Sequence, residues 1–369
     1  MKISTIRRCI PIISFTIAFT TYAVPPPSWQ SDCVGRAVIS LPPNVELAAV
    51  PHNSIAEEIT GAAMLSEAKF KDGQVAGWSR IIYTNGLILV STELNSEEIA
   101  DLRSRLNEQP ERERRELKQL DTSKSRAMVV SRLKTVSPQI LAWSLGPHIS
   151  YLQQLGNHVL FTGVSSDNSL AASTRDFESL SANTTYREIF SVPSESGVCL
   201  PFSFIKDRGV EPRSVSVTYR LKSHPDVTVV LTDANALVHK DPIRKRNAEP
   251  EVKTANFWAQ YEVSRTGKEV RTRWFPNSKR AIEMDGRKGI ASFVNIVRKD
   301  DSKDVGFLAI VPGDPTAKTD APELTLFVVR EANHARAKGI EPITEEAFLE
   351  LARSIASSVQ VRKAITVAK

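Results

Sequence analysis

With 369 residues, the chain is long enough to bury two ordinary cores. Its 41% hydrophobic and 24% charged residues exclude both a disordered chain and a helical membrane bundle. The formal net charge is +6, but three of the cations stand in the first eight residues.

That start reads as a secretory signal. Lys2, Arg7 and Arg8 form a basic region, residues 10–18 are mostly apolar, and Thr21-Tyr22-Ala23 carries small residues where a signal peptidase reads. The apolar run is shorter than the roughly 20 residues that span a bilayer. Residues 1–23 are therefore expected to be cleaved, an uncleaved anchor being the other reading, and no stable membrane insertion is expected afterwards. Arg7-Arg8 alone does not make a twin-arginine signal, and Cys9 lacks the apolar context of a lipid attachment site. Cleavage lowers the net charge from +6 to +3. A nucleic-acid partner then loses its support, because phosphate binding needs a concentrated basic face. Two cysteines remain, Cys33 and Cys199. Export to an oxidising compartment allows them to bond; two separate buried thiols are the alternative.

In chain order, Pro25-Pro26-Pro27-Ser28 leads into Cys33 and an apolar run, and residues 55–70 are expected to be helical, broken only by Gly61. Residues 78–84 and 87–91 flank Asn85-Gly86, a strong hairpin signal. Asn95 and Glu98 then form a capping box, with Leu94 stapled on Ile99, and Ile99, Leu102 and Leu106 share one apolar face. Pro110 is expected to start a further, charged surface helix. A second hairpin is expected over 149–164 around Gly156-Asn157, with a helix over 167–180.

The opening grammar then returns. Pro193-Ser194-Glu195-Ser196-Gly197 leads into Cys199 and an apolar run, as before Cys33. Val215, Val217, Tyr219 and Leu221 alternate with Ser216, Thr218 and Arg220, the pattern of a half-buried strand. Pro225-Asp226 turns into 227–231, residues 240–253 read as an exposed loop, and 290–297, 305–311 and 324–329 read as strands. Thr344 caps a helix with Glu345 and Glu346 in its first turn, and Ile343 staples on Phe348. A strand followed by a stapled helix in both halves implies an internal repeat. The fold class is α+β: two domains of similar plan, 24–192 and 193–369, each a largely antiparallel sheet with packed helices.

No nucleophile elbow, HExxH, CxxC or glycine-rich phosphate loop occurs, and none of the six histidines makes a pair at ligand spacing. Asp300, Asp301 and Asp304 lack the glycine and terminal Glu of a calcium loop and read as a polar turn. The expectation is a non-enzyme with no catalytic, cofactor-binding or metal-ligating set. Trp78 and Trp143 fall in strand-like runs and read as core. Trp258 and Trp274 lie in less regular sequence, Trp274 beside Arg271 and Arg273. Arg and Trp anchor protein interfaces, which makes Arg271, Arg273, Trp274 and Trp258 candidate partner contacts. A tryptophan covering the sheet under stacked arginines is the other reading.

Several of these segments carry a resemblance. Cys33-Val34-Gly35-Arg36 with Leu41-Pro42, Val192-Pro193 and Gly197-Val198-Cys199 before Phe204-Ile205, and Ile343-Thr344-Glu345-Glu346-Ala347 through Ser354-Ile355 to Val361-Arg362 resemble the fourth cognate immunity family. Those proteins are immunity proteins of type VI secretion lipase effectors. The resemblance implies a periplasmic, non-enzymatic inhibitor that clasps a secreted phospholipase between two domains. No cofactor is expected, the sequence leaves the oligomeric state open with a monomer favoured, and Arg271, Arg273 and Trp274 are the candidate anchors from the second domain. An exported ligand-binding or envelope-associated protein is the alternative.

Overall fold

The computed structural model describes residues 26–362 except 62–65, 85, 121–127, 136, 167–168, 239, 267–269, 299–302 and 318; the side chains of 262–266 and 270–278 are also outside the description. The expected signal, residues 1–23, lies outside the described residues, as do Asn85, Asp300 and Asp301.

The repeat organises the fold. In the first half, β1 (Gln30–Val34) and β2 (Ala37–Leu41) form a hairpin, followed by the short β3 (Val45–Leu47) and α1 (His52–Ile59). Then come β4 (Arg80–Tyr83), β5 (Gly86–Val90), α2 (Ser96–Leu120), the meander β6 (Val130–Arg132), β7 (Ile140–Leu145), β8 (His148–Leu155), β9 (His158–Val164), α3 (Leu170–Asn183) and β10 (Thr184–Tyr186). The second half repeats this order. Hairpin β11 (Gly197–Leu200) and β12 (Ser203–Lys206) precede β13 (Arg213–Leu221) and β14 (Val227–Ala234). Helices α4 (Pro242–Asn247) and α5 (Pro250–Thr266) precede the meander β15 (Val270–Met284), β16 (Arg287–Arg298), β17 (Lys303–Val311) and β18 (Glu323–Arg330). Helices α6 (Ala332–Ala337) and α7 (Glu345–Ser358) and strand β19 (Gln360–Val361) close it.

One large sheet holds both halves in the order β15-β16-β17-β18-β14-β13-β4-β5-β9-β8-β7-β6, with β3 paired to β13 off this path. Read outward from the centre, the two sides follow the same plan. The equivalent strands β4 and β13 pair antiparallel, Ile82 opposite Ser214, as a two-fold axis between them requires. Two small sheets, β1-β2-β19 and β10-β12-β11, show a further feature: the closing strand of each half pairs with the opening hairpin of the other. The hairpins are equivalent residue by residue, Cys33 opposite Val38 and Cys199 opposite Phe204.

One face of the large sheet packs on the small sheets, α3 and α7. There Ile81, Tyr83, Val215, Val217 and Tyr219 join Ile39, Leu200, Phe177 and Phe348 in a core continuous through both halves. The other face carries two separate clusters. One sets α1 and α2 on Leu89, Trp143, Leu152 and Val159; the other sets α5 on Val294, Leu308, Phe327 and Val329.

The expected hairpins form, with Tyr83 opposite Gly86 and Leu155 opposite His158. Both capping devices are in place: Asn95 Oδ1 accepts from the Glu97 and Glu98 amides at 2.9 Å while Glu98 returns a bond to the Asn95 amide, and Thr344 Oγ1 accepts from Ala347. Three expectations fail. The helix over 55–70 is only α1, which stops before Gly61 at φ +70°, a left-handed turn that glycine adopts without strain. Pro110 does not begin a helix but lies inside α2; the burial of Ile99, Leu102, Leu106 and Pro110 on one face carries the helix through the missing donor. The loop over 240–253 contains α4, capped by Asp241 with Pro242 at its first turn, and the start of α5 at Pro250.

Candidate partner-binding cleft

The two helix clusters of the outer face leave the centre of the sheet between them. The alternation in β13 explains why. Its odd residues go to the continuous core, whereas Ser214, Ser216, Thr218 and Arg220 face the other way and offer helices no apolar surface. A cleft of about 410 Å³ lies there, lined by Ser214 and Ser216, by Leu87 and Leu89 of β5, and by the 48–50, 66–68 and 76–81 segments, including Trp78.

Arg220, on the same face of β13 but outside the cleft lining, ties down the neighbouring segments. Nη2 is 2.6 Å from Glu46 and Nη1 2.7 Å from Asp72, and the guanidinium lies 4.3 Å over the Phe70 ring. Burial works against ionisation of Asp72, but the Arg220 bonds outweigh it and hold its pKa down, at about 2. Trp78 holds one wall of the cleft. Its φ of +90° is strained for a bulky residue, and its ring stacks on Phe257 of α5 at 5.0 Å and meets Phe327 edge-on. A residue from the first half thus bridges to the helix layer of the second.

The opposite side of the seam is tied covalently. Cys33 and Cys199 are bonded, S–S 2.08 Å, both fully buried, and Gly35 and Cys199 exchange backbone hydrogen bonds beside them. Gly35 has φ +58°, and a Cβ there would stand 2.3 Å from Asp233 Oδ2. Only glycine allows this approach, in which Asp233 accepts from the Arg36 amide. Burial pushes the Asp233 carboxyl up, against the pull of Arg213, whose Nε donates at 3.0 Å. Arg36 itself reaches Asp207 at 2.7 Å.

The other candidate residues are elsewhere. Trp258 is a correction: with 1% of its surface exposed it is a core residue of the α5 layer, its Nε1 donating to Ser292 Oγ at 2.9 Å, and it offers nothing to a partner. Arg271, Arg273 and Trp274 lie on β15 opposite Val297, Asn295 and Val294, and their side chains are outside the described residues. β15 is the outermost strand, four strands removed from β13, or roughly 24 Å at ordinary strand spacing. The structure therefore does not bring them to the cleft. Asp304 is buried and bonded to Arg298, Nε to Oδ2 2.7 Å. Among the described residues no group of three or more His, Cys, Asp and Glu could hold a metal ion.

Residues 191–364 match the family model of the Tle cognate immunity protein 4 C-terminal domain. Over that stretch the chain is similar to the family. The whole chain shares its fold with the immunity protein TplEi of the type VI secretion system of Pseudomonas aeruginosa, solved with a peptide termed L. There the identity is 16% and the TM-score 0.54, over 91% of this chain and 99% of that one. A chain of the Tle4–Tli4 complex is equally similar, at 16% identity and TM-score 0.56, over 91% and 98%. No curated protein matches by sequence. The Gly35 approach to Asp233 and the Thr344 cap give physical reasons for two of the short motifs that carry the resemblance in the sequence.

Proposed function

We propose that this chain is a periplasmic immunity protein that binds a type VI secretion phospholipase effector and blocks its attack on membrane phospholipid. The observation that carries this reading is the immunity-family match of the second half. It is supported by a fold shared end to end with TplEi and with a chain of the Tle4–Tli4 complex. The start of the sequence supports export, and a buried disulfide suits an oxidising compartment. In this reading the halves 24–192 and 193–369 act as two domains that grip one partner across the central cleft, and the protein has no hydrolytic activity of its own. The contact surface is the cleft floor of Ser214 and Ser216 with the Trp78 wall, and not Trp258. The test is inhibition of a type VI secretion phospholipase of the Tle4 class. Stoichiometric loss of phospholipid hydrolysis on titration with residues 24–369 supports the proposal; full hydrolysis at a tenfold excess overturns it.

A further inference from the structure

The end of the second-half sheet beyond β14 carries a surface that the cleft does not explain. Among the described residues, the four most exposed large apolar side chains are Val210, Ile243, Leu237 and Val238, at 71, 70, 68 and 68%. They share one end of one hairpin. Val210 stands three residues before β13 and Leu237 three after β14, and the strand ends pair through Ser214 and Ala234. Ile243 follows on α4. No element of the described structure covers them.

The charge of the run that carries three of them is mostly positive. Lys240, Arg244, Lys245 and Arg246 are all exposed, four cations against one carboxylate in the same run, Asp241. Asp241 is already engaged in capping α4, its Oδ1 accepting from the Arg244 amide. None of the four cations has a carboxylate within ion-pair distance among the described residues, unlike Arg208 nearby, which pairs with Glu211. Exposed apolar side chains set among unpaired cations are the composition that docks on an anionic lipid surface: the apolar groups enter the headgroup boundary while the cations meet lipid phosphates. A protein groove would have to supply matching carboxylates for all four cations, since burying any of them unpaired is costly.

We infer that Leu237, Val238 and residues 240–246, with Val210, form a peripheral docking surface for anionic phospholipid bilayers. This surface would hold the protein against the membrane while the cleft, floored from the middle of the sheet, stays open to a protein. Co-sedimentation of residues 24–369 with phosphatidylglycerol-containing vesicles and with pure phosphatidylcholine vesicles, at low and at physiological salt, tests it. The expected result is binding to the anionic vesicles only, weakened by salt. Each cation near the surface contributes about fivefold in affinity, so replacing all four with Gln weakens binding on the order of a hundredfold or more. The variant L237S/V238S/I243S loses binding by at least about tenfold while keeping the wild-type melting curve, since those side chains are exposed. Absence of binding to anionic vesicles by folded wild type overturns the inference. So does binding that both variants retain. A protein contact is the reading to adopt instead if vesicles are ignored but the apolar variant loses affinity for the purified lipase.

Discussion

Two arginines occupy the same place in the two halves and live in different chemistry. Arg187 follows β10 and Arg362 follows β19; each amide donates to the turn of the other half's hairpin, at Phe202 and Arg36. Below Arg187 lies Asp32, fully buried, accepting from Nη1 at 2.6 Å and from the Tyr219 hydroxyl at 2.7 Å. Among the described residues, the Arg362 side chain donates to carbonyls, those of Pro193, Glu195 and Gly197, and lies 5.5 Å over the Phe204 ring, with no carboxylate within ion-pair distance. The register gives the reason. Asp32 lies opposite Ile39 and Val198 lies opposite Ile205, so the second half has valine where the first has the carboxylate. Burial and the neighbouring Arg187 and Arg36 hold the Arg362 pKa down to about 10. Duplication kept the backbone plan; one residue decides whether the inserted cation is paired.

The seam at which the halves exchange strands is the first thing to break. Replacing Cys33 and Cys199 with Ser opens a loop spanning a separation of 166 residues, expected to cost about 5 kcal/mol in the chain-entropy model. A denaturant midpoint unchanged between the variant and the oxidised protein would contradict it. Next in size is Arg187→Met, which strands the buried Asp32 and is expected to cost about 3–5 kcal/mol, whereas Arg362→Met loses carbonyl and ring contacts only, about 1 kcal/mol. Equal losses at the two positions would erase the contrast. The contrast can also be sharpened. Val198→Asp supplies the absent carboxylate, and a double-mutant cycle with Arg362→Met is expected to give a favourable coupling of about 1–3 kcal/mol; zero coupling would show that the two positions do not face each other.

The smallest effect concerns the Arg220 cluster beside the cleft. Asp72 has its pKa lowered from 3.8 to about 2. A carboxyl depressed in the folded state contributes stability above its unfolded pKa and loses it as pH falls. The advantage of wild type over Asp72→Asn should therefore shrink as acid brings the pH from about 4 toward 2. An advantage independent of pH in that window would show that Arg220 does not hold Asp72 ionised.

Much of this architecture was legible because it is local. Asn85-Gly86 and Gly156-Asn157 specify their hairpins by backbone preference, and the Asn95 and Thr344 caps announce helices within four residues. The repeat was legible from two cysteines in matching frames, and the alternation of β13 already separated a core face from a polar one. The strand exchange was not legible, because β19 has two residues and its pairing with β2 is set only by the assembled fold. Residues 66–70 were expected to finish a helix, yet they leave it, and Phe70 lies under the Arg220 guanidinium. Trp258 was misread because α5 follows a run of charge and proline that hides its apolar side. The cleft floor consists of serines, which no motif marks.

The claim that the cleft receives the partner has a direct measurement: calorimetric titration of the lipase that the protein inhibits with residues 24–369 and with Ser214→Arg. Ser214 sits half-buried on the cleft floor, so an arginine there fills the cleft without entering the core. The account predicts one-to-one binding by wild type and at least about tenfold weaker binding by the variant, a loss of about 1.4 kcal/mol, with its melting temperature retained. Wild-type affinity in a folded Ser214→Arg protein would contradict it.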